Sequence, residues 1–135
     1  MTPDDIPPGF EDFELAVRRR RMPIERLVSR EVFGSDDPVY GYTTLEQADD
    51  LVRHLQLAPG KRLLDIGAGL GWPGVHLARL SGCTAVLSDV PALALREAMR
   101  WARQEGVDAA YVRATGGRPP FRPRSFDAIV HTDVL

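Results

Sequence analysis

With one cysteine, Cys83, in 135 residues, the chain can form no internal disulfide. It also lacks any apolar run near the ~20 residues needed to cross a bilayer. The basic cluster Arg18 to Arg21 leads into Met22-Pro-Ile-Glu-Arg-Leu-Val-Ser-Arg, which is charged too often to be the apolar region of a secretion signal. These absences together make the cytoplasm the expected compartment. An excess of positive charge is missing too. A formal net charge of -2 provides no basic face to displace counterions from phosphates, so a nucleic-acid partner is not expected. The arginine cluster reads instead as a solvated helix face. The three histidines and Cys83 have no metal-ligand spacing, and no metal is expected. There is no internal repeat and no low-complexity tract.

What is present describes a globular domain, with 44% hydrophobic and 27% charged residues. Residues 1–42 read as an N-terminal tail and helical segment, and residues 43–135 as the core. Residues 1–9 hold three prolines and little to bury. Phe10, Phe13, Ala16 and Val17 then suit one helical face, and Ile24, Leu27, Val28 and Val32 a second short helix beyond Pro23. From Thr43, which with Glu46 fits a capping box, Leu45, Ala48, Val52 and Leu55 recur at helical spacing until Pro59-Gly60. Strands follow at Arg62-Leu-Leu-Asp-Ile, Thr84-Ala-Val-Leu-Ser, Ala109-Ala-Tyr-Val-Arg and Phe126-Asp-Ala-Ile-Val-His. Helices are expected over Trp72 to Leu80 and Ala92 to Glu105, the latter stopped by Gly106. Strands alternating with helices mean parallel βαβ units, and the apolar run Ala128, Ile129 and Val130 suggests a strand covered on both faces.

The most informative stretch is Leu63-Leu-Asp-Ile-Gly-Ala-Gly-Leu-Gly-Trp-Pro-Gly, a strand running through three alternating glycines into a helix. Gly67, Gly69 and Gly71 let the backbone turn sharply and leave no β-carbon toward a ligand, while free N–H groups and the helix dipole would favour a negative group. Gly69-Leu-Gly71-Trp-Pro-Gly74 formally satisfies the dinucleotide pattern G-x-G-x-x-G. Asp65, two residues before the first glycine, speaks against it, because a carboxylate there suits an ammonium and repels a pyrophosphate. Its alternative role is a buried carboxylate bonded to loop N–H groups. Asp89 ends the next strand about 20 residues past the loop, where an acid can accept both hydrogens of a ribose; its alternative role is an N-cap near Pro91.

The arrangement resembles motif I of class I S-adenosylmethionine-dependent methyltransferases, and the resemblance extends over about Thr43 to Leu135. It implies an α/β, Rossmann-like parallel sheet with flanking helices. The family sheet runs 3-2-1-4-5-7-6; this chain supplies order 3-2-1-4 and lacks strands 5–7. The implied cofactor is S-adenosyl-L-methionine, with S-adenosyl-L-homocysteine as product, held by Asp65, Gly67, Ala68, Gly69, Gly71, Trp72, Asp89, Val90 and Thr115. Thr115 stands where family members often hold an Asp near the adenine. Trp72 suits either a cofactor contact or a core contact. His131, with Asp133 beside it, lies where a proton acceptor for a substrate hydroxyl or amine would stand. His54 and His76 fall on helices as surface residues. Tyr40 and Tyr42 precede the first family helix, where a lid would lie. The resemblance implies methyl transfer to a small-molecule acceptor, and an open sheet edge that pairs with another copy or with chain not present here. A nicotinamide-dependent oxidoreductase and a cofactor-binding module without catalysis are the competing readings.

Overall fold

The computed structural model describes residues 10–19, 27, 28, 30–32, 34, 39, 41–132 and 134. In chain order the elements are α1 (Phe10–Arg19), α2 (Leu45–His54), β1 (Arg62–Ile66), α3 (Gly74–Ser81), β2 (Thr84–Asp89), α4 (Ala92–Gln104), β3 (Ala109–Arg113) and β4 (Ala128–Val130). All strand pairings are parallel, as the alternation of strands and helices predicts, and the order is β3-β2-β1-β4, as the family resemblance implies. Parallel pairing aligns Ile66 with Ser88 and Asp89 with Arg113, so the carboxyl ends of β1, β2 and β3 form one rim from which the functional loops leave.

The core lies between the sheet and helices α3 and α4. Leu63, Leu77 and Leu87 are wholly buried in it, each contributing about 2 kcal/mol of hydrophobic burial. Small residues Ala98 and Ala102 let α4 lie close to the sheet. Helix α1 packs against α4, with Val17 buried and Ala16 exposed, so only part of its expected apolar face is used. The second helix expected around Ile24 to Val32 falls partly outside the described residues. Positions 27, 28 and 30–32 are helical, with Leu27, Val28 and Val32 exposed.

Several expected boundaries move for identifiable reasons. The capping box is present one residue later than expected: Thr44 Oγ1 accepts from the Gln47 N–H, and the Gln47 side chain accepts from the Thr44 N–H. Helix α2 ends at His54, before Pro59-Gly60, because Gln56 takes a left-handed φ of 52°. Helix α3 starts at Gly74 because Gly71, at φ 103°, and Pro73, which has no N–H, keep the preceding residues in turns. The last strand shortens to Ala128–Val130, and its two faces differ: Ala128 and Val130 join the core while Ile129 is 55% exposed. Coverage on both faces is therefore not what the described residues give it. Its apolar run reflects one buried face and one open position at the sheet edge.

Candidate functional site

The glycine loop is organised by two carboxylates and two carbonyls. Ser88 O, at the end of β2, accepts from the N–H groups of Gly67 and Ala68 at 2.7 and 3.1 Å. Gly71 N–H turns back to Ala68 O at 2.7 Å. Asp89 Oδ2 accepts from Gly69 N–H at 2.6 Å, and its Oδ1 from Val90 N–H at 2.7 Å. Asp65 Oδ2 accepts from Gly74 N–H at 2.9 Å, at the start of α3. The expectation of free N–H groups is thus corrected at residues 67, 68, 69, 71 and 74, where each donor is already satisfied within the chain. At the start of α3, where the helix dipole attracts an external anion, Asp65 already supplies the negative charge; the helix's own N-cap, Pro73, offers no side-chain bond.

Asp65 is 1% exposed, so it takes the role that the sequence left as its alternative, bonded to a backbone N–H and buried. Burial pushes its carboxyl well above the ordinary carboxylate range, the Gly74 N–H pulls it back, and the Asp89 charge raises it further. Asp89 is half-buried at the rim. Burial raises its pKa too, against the lowering effect of the Gly69 and Val90 N–H groups. Its N-cap alternative fails, since Pro91 occupies the N-cap of α4 and no side chain caps it. Asp65 on β1 and Asp89 at the end of β2, each bonded to an N–H of the loop or of the helix that follows it, repel each other when ionised.

Gly67, Gly71 and Gly74 are required by packing. A β-carbon on Gly67 would lie 2.3 Å from Val134 Cγ2, and one on Gly71 would lie 2.8 Å from Val75 Cγ2 and 3.1 Å from Trp101 Cε3. On Gly74 it would lie 2.5 Å from Asp65 Oδ2. Ala68 is fully buried beside them. Trp72 faces the protein, with its ring 2% exposed and its Nε1–H donated to Thr43 O at 3.1 Å. Val90 is buried, and Thr115 sits half-buried in the loop after β3, which Ala114 N–H ties to Asp89 O at 3.1 Å. His131 is exposed just past β4. Asp133 and Tyr40 lie outside the described residues, and Tyr42 is 91% exposed.

Two contributions were not foreseen. Arg113 Nε donates to Val90 O at 2.8 Å, bracing the turn that carries Asp89 from the neighbouring strand. No sequence signal distinguishes it from any exposed strand-end arginine. His76 corrects its expected surface position, being 3% exposed and bonded to Asp49 on α2. No sequence signal marks it as buried, because its burial follows from α2 folding across α3. Among the described residues no group of three or more His, Cys, Asp or Glu side chains could hold a metal, and no helix is long and apolar enough to cross a membrane.

Residues 63–135 match the family described as Methyltransferase domain. A Sterol 24-C-methyltransferase of Clavispora lusitaniae is 30% identical over 93 residues, covering 63% of this chain and 25% of the relative. The chain therefore spans about a quarter of the length of the curated relatives it matches. Among solved structures, a SAM-dependent methyltransferase from Thiobacillus denitrificans in complex with S-adenosyl-L-homocysteine aligns with TM-score 0.59 at 22% identity, covering 84% of this chain and 44% of that one. An RNA methyltransferase from Salinibacter ruber, in complex with the same ligand, aligns with TM-score 0.52 at 19% identity, covering 56% and 50%. At these identities the structural likenesses establish the fold.

Proposed function

The chain belongs to the methyltransferase-domain family, and from that membership we propose that it binds S-adenosylmethionine at the β1–α3 loop and serves methyl transfer to a small-molecule acceptor in the cytoplasm. The single observation that carries the cofactor reading is Asp65 bonded to the first N–H of α3. A pyrophosphate would meet a carboxylate where it needs a free helix end, which disfavours a nicotinamide cofactor. A ligand carrying an ammonium instead relieves the repulsion between Asp65 and Asp89. The residues present fit the group: Asp89 keeps lone pairs for two ribose hydroxyls, and Val90 and Thr115 flank the adenine position that the family resemblance implies.

The cofactor supplies a methyl group on a sulfonium. The chain's task is to orient it, since methyl transfer asks for little beyond alignment of the acceptor with that methyl. Asp65 holds the start of α3, Arg113 braces the Asp89 turn, and His131 is the side chain proposed to take a proton from a hydroxyl or amine acceptor. Residues 1–42 are proposed to close over the loop, and the open β4 edge at Ile129 to pair with another copy or with further chain. A net charge of -2 supports a small acceptor over a polyanion, although the fold serves both, one neighbour being an RNA methyltransferase.

The raised carboxyls give the experiment. Each has a folded pKa above its unfolded value, so the stability it contributes is fully present below the ordinary carboxylate range and is lost as pH rises through the raised value. A ligand ammonium placed beside the two acids acts in the opposite sense by favouring the ionised forms. S-adenosylhomocysteine binding, measured by calorimetry in buffers of different ionisation heat, is therefore expected to release protons and to weaken as pH falls through the raised values. Asp65→Asn, which keeps an acceptor for Gly74 N–H, is expected to hold or raise stability at neutral pH while weakening binding. Proton uptake on binding, or unchanged affinity in Asp65→Asn, would contradict the proposed role of the two acids.

A further inference from the structure

The buried histidine on α3 is unused by the reading above, and its surroundings fix its chemistry. His76 Nε2 lies 2.7 Å from Asp49 Oδ1 on α2, and its Nδ1 lies 2.9 Å from an Arg79 guanidinium nitrogen. A guanidinium only donates, so Nδ1 must accept with its lone pair. The ring proton then sits on Nε2 and is donated to the Asp49 carboxylate. With the proton on the other nitrogen, N–H would face N–H at Arg79 and a lone pair would face the carboxylate. Arg79 is itself held by Glu105, at 3.1 Å, just past the end of α4.

Asp49, His76, Arg79 and Glu105 thus form a continuous polar chain across α2, α3 and the C-terminus of α4. Beside it the Trp72 ring lies 5.1 Å from the imidazole and donates to Thr43 O, the residue before the α2 cap. Two bonds therefore tie the Thr43–His54 segment to the start of α3. One comes from Trp72, the residue directly after the glycine loop, and the other from His76, two residues past the Asp65–Gly74 contact.

We infer that His76 is a positioning residue for the cofactor loop: as its Nε2–H tautomer it docks α2 on α3 through Asp49, and the glycine loop holds its ligand only while α3 is so anchored. The inference rests on the proposed S-adenosylmethionine site. The loop is suspended between β1 and α3, with Gly74 N–H at one end of a carboxylate tie to β1. A shift of α3 therefore changes the loop without touching the ligand.

Paired substitutions test it, because glutamine places an amide N–H near the position of Nε2, whereas asparagine reaches only the position of Nδ1. His76→Gln is expected to bind S-adenosylhomocysteine within about threefold of the natural protein. His76→Asn and Asp49→Ala are expected to lose about tenfold, chiefly through faster dissociation, with no further loss when combined. Asp49 has a half-exposed side chain, so its replacement opens no cavity in the core, and melting curves of the variant check that it remains folded. Imidazole 15N shifts of the natural protein are expected to place the proton on Nε2. Equal losses in the two His76 variants, additive losses in the double variant, or a proton on Nδ1 would overturn the inference. If the natural protein failed to bind S-adenosylhomocysteine, the proposed function would fall, while the 15N shifts and the amide exchange of Thr43–His54 in the two variants would still decide the role of His76.

Discussion

Gly71→Ala is expected to destabilise the fold by about 2–5 kcal/mol, the largest effect anticipated for any change in the glycine loop. Two separate costs add. At φ 103° an L side chain is strained whatever the space around it. The added β-carbon would also meet Val75, Trp101 and Ala98, at 2.8, 3.1 and 3.2 Å, in the seam between α3 and α4. None of these three is the flexible end of a long chain, so relief requires moving α4 or the loop. Denaturant unfolding of Gly71→Ala beside the natural protein measures the cost directly. A variant as stable as the parent but unable to bind S-adenosylhomocysteine would show that the glycine is there for ligand approach, and the packing account would be wrong.

The second large effect belongs to Asp89. Replacement by alanine removes a charged acceptor expected to hold both ribose hydroxyls, so S-adenosylhomocysteine affinity should fall by about 1.5–3 kcal/mol, or roughly 10- to 150-fold. Stability should fall less. The variant leaves the N–H groups of buried Gly69 and Val90 without their carboxylate, but Asp89 itself is half-buried, so water can reach the space it vacates, and the ionised acid itself pays for burial in the natural protein. Asp89→Asn separates the contributions, since one amide oxygen can still serve Gly69 while the paired charge-assisted bonds to ribose are gone. Calorimetry on both variants, with melting curves, gives the comparison. Undiminished affinity in Asp89→Ala would assign this acid to loop structure alone.

The strands, their parallel pairing and the glycine loop were legible because they depend on local signals, namely short apolar strands, helix-length spacers and an acid before alternating glycines, whereas the strand order followed from the family resemblance. Asp89 was legible for the same reason, as it ends a strand at a fixed distance from the loop. What escaped depends on tertiary contact. The sequence shows that Gly71 must be a glycine, but not that Trp101, thirty residues on, fills the space beside it. It places His76 on a helix, but its burial follows from α2 folding across α3, a contact between segments on either side of β1. Free loop donors were expected because the sequence cannot reveal that Ser88 O, Asp65 and Asp89 take them. The two-faced burial expected of Ala128 to Val130 failed because an apolar triplet reads the same at an edge as in a sheet centre, and only the pairing with β1 decides.

The central claim is that the β1–α3 loop takes a nucleoside ligand bearing an ammonium group, S-adenosylmethionine or its product, and refuses a pyrophosphate. Side-by-side calorimetric titration of the protein with S-adenosylhomocysteine and with NAD tests it most directly. The account predicts saturable one-site binding of S-adenosylhomocysteine, weakened by Asp89→Ala, and no heat of binding from NAD over the same concentrations. Saturable binding of NAD with no response to S-adenosylhomocysteine would contradict it.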